Sequence, residues 1–247
     1  MRLFLILFLI LTATGPLMLI LSGKINFNGD YRTANRKSAH IAPDPTTNAQ
    51  AIIQVYSARA FNWRGMFAVH VWLAIKPKTA KQYTVYQVIG WRLLRNLPPL
   101  MIAEDIPDRF WFNQRPHIIL DIEGQKAETL IPLITQAANA YPYANDYVTW
   151  PGPNSNTFIA YIARQVPAMQ LALPSNAVGK DFYMHPLFFA RAPSGTGYQF
   201  SLLGLMGITL AYKEGLEINI LGLVYGFSPA AMTLKLPGFG DIPIAFR

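Results

Sequence analysis

A short segment near the middle of the chain has residue types and a spacing that could support chemistry. It reads Trp150-Pro151-Gly152-Pro153-Asn154-Ser155-Asn156-Thr157-Phe158. Two prolines and a glycine stiffen the approach to a predicted helix start, where backbone N–H groups point outward and the helix dipole favours developing negative charge. Ser155 lies at or next to that start. The alternative interpretation is that Ser155 or Asn154 only caps the helix, which both residue types do well.

Several kinds of chemistry are excluded by what the sequence lacks. It contains no cysteine, which removes disulfides, cysteine–zinc sites, iron–sulfur clusters and a cysteine nucleophile. The histidines are isolated, without the spacing of a metal site; they are His40, His70, His117 and His185. The glycine-rich stretch 194–197 lacks the lysine of a phosphate-binding loop. We therefore expect no metal and no bound cofactor.

The charges are unevenly distributed along the chain. Lys+Arg 21 against Asp+Glu 13 gives a net charge of +8, which favours an anionic partner or surface. No acid occurs between Asp44 and Glu104, where the basic residues are Arg59, Arg64, Lys76, Lys78, Lys81, Arg92 and Arg95. One interpretation is a basic surface that faces anionic lipid headgroups or an envelope polymer. The other is a solvated sheet edge, where lysine prevents edge-to-edge pairing. No nucleic-acid-binding motif accompanies these charges, so nucleic acid is not an expected partner.

The N-terminal residues predict a membrane segment. From Leu3 to Ser22 the chain has no charge, and a helix of about 20 apolar residues crosses a hydrocarbon core of about 30 Å. Gly15 and Pro16 interrupt the run, as a kink or the end of a signal sequence would. We favour an uncleaved anchor over residues 1–23, with a cleaved signal as the alternative. The expected location is the bacterial inner membrane, single-pass, with the bulk of the chain in the periplasm; basic residues beyond the run favour the opposite orientation.

After the membrane segment the composition changes twice. Residues 24–50 are polar and predict a tether, and residues 51–247 predict a single α+β domain. The region from Gly195 to Phe227 is apolar and interrupted by glycines, which argues against a long helix. We interpret it as buried or interfacial strands with a hairpin turn at Lys213-Glu214-Gly215. A membrane-embedded hairpin is the alternative.

Hydrophobic periodicity predicts the elements that would position Ser155 and His70. Strands are predicted over residues 51–59, 68–76 and 83–91, which are rich in Val, Ile, Tyr and Trp. The second strand alternates with period two, which predicts one buried face. Helices are predicted over residues 128–141 and 155–166, each ended by a proline. The fold class is therefore α+β with a mainly antiparallel sheet and a few helices.

A set of motifs is distributed along the chain after the N-terminal segment. They are Arg32-Thr33-Ala34, Ala42-Pro43-Asp44-Pro45, Trp63-Arg64-Gly65, His70-Val71-Trp72, Tyr86-Gln87-Val88-Ile89-Gly90-Trp91, Trp150 through Phe158, Gly179-Lys180-Asp181 and Arg191 through Tyr198. With these motifs the chain resembles a bacterial family of uncharacterised proteins, domain-of-unknown-function family 3750. The family has no established activity, so the resemblance implies no particular reaction.

His70 on one predicted strand, Gln87 on the next and Asn154-Ser155-Asn156-Thr157-Phe158 at a helix start form a second pattern. Its order is similar to that of permuted papain-like proteins, such as NlpC-type hydrolases and lecithin:retinol acyltransferase-like enzymes. These place a histidine on an early strand, a polar orienting residue on the next, and the nucleophile in an Asn-Cys-x-x-Phe-like motif. If a hairpin pairs Lys76 with Tyr83, His70 lies diagonal to Gln87 on one face.

This resemblance implies Ser155 as nucleophile, His70 as its base and Gln87 as the residue that orients His70. Tyr86 takes the orienting role only if the strand register slips by one. Because serine replaces the cysteine and its hydroxyl does not ionise near neutral pH, His70 would take the proton during the attack. Backbone N–H groups near Ser155 would hold the oxyanion. Further site candidates are Asn154, Asn156 and Trp150.

The resulting functional hypothesis is a membrane-anchored envelope protein with a papain-like cleft. It would act as an amide, peptide or acyl hydrolase or transferase. The alternative is a non-catalytic binding or scaffolding module at the membrane surface, which uses the same cleft or the basic residues. In that case His70 is a strand histidine bonded to a neighbour.

Overall fold

The computed structural model describes residues 2–25, 27, 29–183 and 188–244. Within these residues the chain forms two antiparallel sheets and three α-helices, which confirms the α+β prediction. The helices are α1 (Arg2–Leu21), α2 (Gln125–Asn139) and α3 (Ser155–Gln165). The last two correspond closely to the predicted helices.

The first sheet has the strand order β4-β3-β2-β1-β5. Its strands are β1 (Ile52–Arg59), β2 (Val69–Lys76), β3 (Thr84–Val88), β4 (Leu100–Glu104) and β5 (His117–Glu123). The predicted strands correspond to β1, β2 and β3, the last of which is shortened by a 3-10 helix that begins at Gly90. Strand β2 pairs Leu73 with Tyr86 and Ile75 with Thr84, which is the predicted β2–β3 register.

Strand β2 is buried on both faces, so the prediction of one buried face is wrong. The reason is its central position in the sheet. On one face Val71 and Leu73 pack in the core that α2 and α3 cover. On the other face Trp72 belongs to a second apolar cluster, against which Ile41 and Trp111 pack.

The burial of β2 also corrects the interpretation of Lys76 as part of a basic surface or a sheet edge. Its side chain is fully buried, and Nζ donates a hydrogen bond to the carbonyl of Gln50. A lysine stem buries well when its ammonium group finds backbone carbonyls. Arg64, Lys78 and Lys81 remain exposed.

The second sheet contains strands β6–β12 of the described chain in sequential order. They are β6 (Phe189–Arg191), β7 (Gly197–Leu202), β8 (Met206–Ala211), β9 (Gly215–Ile220), β10 (Leu223–Ser228), β11 (Thr233–Leu236) and β12 (Gly240–Pro243). The hairpin predicted around residues 213–215 joins β8 to β9. The glycine-punctuated region is thus a set of strands, as predicted.

Helix α1 lies beside the second sheet. The ring of Phe8 is 5.4 Å from that of Tyr225, and the Thr12 hydroxyl contacts the Tyr225 hydroxyl. Pro16 lies against the turn at Gly238, which has a positive φ of 78°. In the described part of the chain, we find no helix whose length and apolar character suffice to cross a membrane.

Candidate functional site

A cavity of about 670 Å³ lies where the start of α3 meets the start of β2. Five of the predicted site residues line it: His70, Trp150, Asn154, Ser155 and Asn156. The sixth, Gln87, bonds to the His70 side chain. The volume is in the range of small-molecule binding sites.

Tryptophan side chains form much of the cavity wall. Of the five in the sequence, four line the cavity: Trp63, Trp91, Trp111 and Trp150. Trp63, Trp91 and Trp150 are 51%, 44% and 45% exposed, respectively. Exposed aromatic rings around a concave surface are typical of binding sites, because each offers a large apolar area with few rotatable bonds.

His70 is buried between the sheet and this aromatic wall. The ring of Trp111 stacks on the imidazole, with 3.6 Å between the ring centroids and 10° between the planes. Burial lowers the pKa of His70 to about 3, and a hydrogen bond with Gln87 opposes only part of this effect. The imidazole is therefore neutral at physiological pH.

The interaction with Gln87 involves the other ring nitrogen. It raises the pKa of His70, whereas Nε2 is buried and has no hydrogen-bond partner in the described residues. In the tautomer that is protonated at Nδ1, Nε2 keeps a lone pair that can accept a hydrogen bond or a proton.

Tyr86, the alternative orienting residue, is on the opposite face of β3. Its hydroxyl lies 3.2 Å from that of Thr135 in α2. The strand register does not slip, so the condition for Tyr86 to replace Gln87 is not met.

Asn154, rather than Ser155, caps helix α3. Its side-chain Oδ1 accepts from the N–H groups of Asn156 and Thr157 at 2.9 and 3.2 Å, and the Thr157 hydroxyl accepts from the N–H of Asn154 in return. This is a capping box. The hydroxyl of Ser155 makes no hydrogen bond with any residue that the structure describes. The Ser155 hydroxyl therefore lines the cavity and does not cap the helix.

The capping box changes the expected oxyanion donors. Asn154 already occupies the N–H groups of Asn156 and Thr157, so these cannot hold an oxyanion without breaking the cap. Within the described chain, the N–H of Ser155 itself has no partner. A single backbone donor remains at this helix start.

Asn156 connects the helix start to the strand that carries His70. Its Oδ1 accepts from the N–H of Val71 at 3.1 Å, and its Nδ2 donates to the carbonyls of Val69 and Val178 at 2.9 and 2.8 Å. The β2–β3 pairing ends at Leu73, which leaves this part of β2 without a strand partner on that side. Asn156 satisfies these backbone groups and fixes the spacing between β2 and α3.

Trp150, in the loop before α3, contacts the second sheet. Its Nε1 donates to the carbonyl of Leu221 at 3.0 Å, in the turn between β9 and β10. Gly222 has a φ of 83°, and a Cβ there would lie 2.9 Å from Nε1 of Trp150. A glycine at this position therefore allows the indole to close one end of the cavity.

Ser155 and His70 line the same cavity without contacting each other through a hydrogen bond. Nε2 of His70 is unpartnered within the described residues, and so is the Ser155 hydroxyl. Both groups keep hydrogen-bonding capacity: Nε2 accepts in the tautomer that is protonated at Nδ1, and the hydroxyl donates or accepts.

The sequence interpretation did not identify Trp111, Trp91 or the turn at Leu221–Leu223 as parts of the site. Trp111 lies in a loop, where the sequence has no hydrophobic periodicity, and the turn joins two strands of the second sheet, far away in sequence. The signal that could have found the aromatic wall is tryptophan outside regular hydrophobic patterns. No comparable signal marks the turn.

The described residues contain no group of side chains that could bind a metal ion. No three His, Asp or Glu side chains among them lie close enough to hold an ion. His185 is outside the described residues.

The fold and the cavity define an α+β protein with an aromatic-lined cavity. The chain belongs to the family described as "Protein of unknown function (DUF3750)", whose model matches residues 50–182. That range includes His70, Gln87 and Ser155 and ends before the second sheet. No curated protein and no solved structure gives a significant match. The family resemblance is confirmed, whereas the resemblance to permuted papain-like proteins is not.

Proposed function

We propose that the cavity binds an amphipathic ligand with an acyl-type apolar part and a hydroxyl or amide end. The observation that carries this proposal is the buried, unpartnered Nε2 of His70 in a cavity walled by tryptophans. A buried acceptor without a partner costs about 1–3 kcal/mol. A ligand donor that reaches Nε2 recovers this cost, while the indole rings cover the apolar part.

Tryptophan fluorescence tests this proposal directly. Bromoundecanol combines a hydroxyl with an apolar chain, and its bromine quenches indole fluorescence on contact. The expected result is saturable quenching of the intact chain. Ala68→Phe fills the cavity from its wall and should abolish the saturable part, whereas Ala80→Phe, at a similarly half-buried alanine outside the cavity, should not. Equal quenching in both variants would refute a ligand in this cavity.

A second candidate function is hydrolysis or acyl transfer at Ser155. The observation that favours it is that the free Ser155 hydroxyl lines the same cavity as a histidine whose side chain interacts with Gln87. In that reaction the hydroxyl oxygen attacks an acyl carbon, Nε2 of His70 takes the proton, and the imidazolium gives it to the leaving group as the bond between the acyl carbon and that group breaks. Water or an acceptor hydroxyl or amine then attacks the acyl-serine with the same base, which releases the acyl product and restores the Ser155 hydroxyl. Ligand binding must bring the two groups together, because they are not hydrogen-bonded without one.

A fluorophosphonate probe distinguishes catalysis from binding alone. Covalent labelling of the intact chain that is lost in Ser155→Ala would support a nucleophile. Ser175→Ala is the matched control, because Ser175 is also buried with an unpartnered hydroxyl but does not line the cavity. No labelling, or labelling unchanged in Ser155→Ala, rejects the catalytic role and leaves the binding function.

We also propose that the protein resides at the bacterial inner membrane through its N-terminal segment, with its bulk in the periplasm. The uncharged run from Leu3 to Ser22 and the exposed apolar side chains of α1 support this location. The exposed Arg64, Lys78 and Lys81 suit anionic headgroups or an anionic envelope polymer. Protease digestion of spheroplasts should degrade the bulk of the chain. Protection until the inner membrane is ruptured would place it on the cytoplasmic side.

A further inference from the structure

The second sheet has the reverse of the usual polarity. Side chains on its covered face are polar, including Gln199, Thr209 and Asn219, which are all at most 5% exposed. Side chains on the opposite face are large and apolar. We call this the outer apolar face and define it by Tyr198, Phe200, Ile208, Leu210, Leu216 and Ile218, which are 42–69% exposed. A sheet with one wet face normally presents polar residues to the solvent.

The strand register makes these side chains one continuous surface. Ile208 lies opposite Phe200 on one side and Ile218 on the other. Leu210 lies between Tyr198 and Leu216 in the next row. Directly opposed residues of antiparallel strands project to the same face. The exposed apolar side chains therefore form rows across β7, β8 and β9 rather than scattered single residues.

The charges beneath the sheet fix its orientation. Glu217 accepts from Lys180 and Lys235, each at 2.6 Å, and the three side chains are almost completely buried. Burial alone would raise the pKa of Glu217, but the two lysines lower it. Because alternate residues of β9 project to opposite faces, turning Leu216 and Ile218 inward would turn Glu217 outward and strip both lysines of their partner.

Helix α1 extends the outer apolar face. Tyr225 pairs with Ile218, so it projects to the same side, and its ring and hydroxyl contact Phe8 and Thr12 of α1. Leu9 and Ile10 of this helix are each 55% exposed. Helix and sheet thus present a common apolar surface.

The rim of this surface has the residue types of a membrane–water interface. Tyr212, 75% exposed, lies in the β8–β9 turn, and Arg191 pairs with Tyr198 at the same end of the strands. The neighbouring Lys213 is half-buried, and its Nζ donates to the carbonyl of Gln170 at 2.9 Å. Tyrosines and cations are favoured at the lipid headgroup level. The outward positions of the described strands β7–β10 carry no charged side chain.

We propose that the outer apolar face of the second sheet rests on a lipid bilayer together with the exposed side of α1. The uncharged apolar rows enter the acyl region, while Tyr212 and Arg191 remain at the headgroups. This contact goes beyond the proposed N-terminal attachment, because it places the second sheet itself on the membrane. It is independent of the ligand in the cavity.

The absence of native cysteine makes the test clean. The full chain carrying Ile208→Cys, labelled with an environment-sensitive fluorophore, is reconstituted in phosphatidylglycerol-containing vesicles. Leu133→Cys is the matched control, since Leu133 is 47% exposed on α2 and Ile208 is 52% exposed. Quenching is measured with spin-labelled lipid and with aqueous iodide. Ile218→Cys provides a second probe if the first variant does not fold.

The expected result is quenching of the Ile208 and Ile218 probes by spin-labelled lipid and quenching of the Leu133 probe by iodide. Iodide quenching at all three positions would overturn the proposal while leaving the N-terminal attachment in place. Protection of Ile208 from both quenchers, with thiol cross-linking between copies, would also overturn it and identify a self-association surface.

Discussion

The indole of Trp111 lies flat on the imidazole of His70, with 3.6 Å between the ring centroids. This contact removes the imidazole from water on one side, while the sheet removes it on the other. Burial is the main cause of the low pKa of His70, and Gln87 offsets it only in part. Trp111 thus contributes to the burial that lowers the pKa of His70.

Trp111→Ala should raise the pKa of His70 from about 3 toward its usual value of 6.5, because the cavity side of the ring becomes hydrated. A pH titration of the imidazole proton resonances by NMR measures this shift. Trp91→Ala is the control, since the ring of Trp91 is tilted against that of Trp111, 5.5 Å away, and makes no ring contact with His70. An equal shift in both variants would mean that Trp111 does not shield the ring specifically.

His70 should make folding stability depend on pH. The unfolded chain binds a proton on His70 below pH 6.5, whereas the folded chain does not until about pH 3. Stability is therefore lost as pH falls from 6.5 toward 3, and the loss from this group is about 2 kcal/mol at pH 5. His70→Gln should flatten the denaturant-measured stability between pH 7 and 5 by about this amount. An unchanged slope would contradict the burial of the ring. His117→Gln is the control, because it removes an exposed histidine instead of the buried one.

Two neighbouring substitutions separate the cap from the cavity. Asn154→Ala removes two hydrogen bonds that its Oδ1 accepts from backbone N–H groups and two that its Nδ2 donates to the carbonyls of Thr149 and Val178. The free energy of unfolding should therefore fall by about 2–3 kcal/mol. Ser155→Ala removes a hydroxyl without a partner and should change stability by less than about 0.5 kcal/mol. Urea denaturation of both variants tests this assignment. It fails if Ser155→Ala is the more destabilising change.

Glu217→Gln should be severely destabilising, because it removes the carboxylate that contacts both buried ammonium groups, and leaves Asp181 and Asp241 as the acids that act on Lys180. The expected loss is about 3–5 kcal/mol. Glu128→Gln removes a more exposed ion pair with Lys78 at 3.2 Å and should cost at most about 1 kcal/mol. Thermal unfolding of the two variants gives the comparison. Similar effects would show that the buried charges do not organise the second sheet.

The local pattern of the sequence predicts the strands and helices that carry the predicted site residues. Alternation and proline positions predicted β1, β2, α2 and α3, and one assumed pair predicted the β2–β3 register. The burial of β2 on both faces was missed, because its second cover comes from loop residues such as Trp111 that have no periodicity.

The second sheet shows a different limit of sequence interpretation. Its alternating residues indicate strands, but alternation does not say which face is covered. That choice depends on the long-range ion pairs of Glu217 with Lys180 and Lys235. The transmembrane prediction finds no support in the described helices.

The cavity was not predictable from local pattern, since it needs two sheets to close. Trp150 and the turn at Leu221 are far apart in sequence and meet only in the folded chain. The capping role of Asn154 was one of two alternatives that the sequence left open. The structure decides between them through the bonds that Asn154 makes.

The central claim is that a ligand donor reaches Nε2 of His70 inside the tryptophan-lined cavity. The most direct test is the ¹⁵N resonance of His70 Nε2 in histidine-labelled protein, recorded during titration with dodecanol. We predict a saturable shift of Nε2 from its free-acceptor position, with Nδ1 remaining protonated and bonded to Gln87. An Nε2 resonance that stays unchanged at saturating dodecanol would contradict the claim.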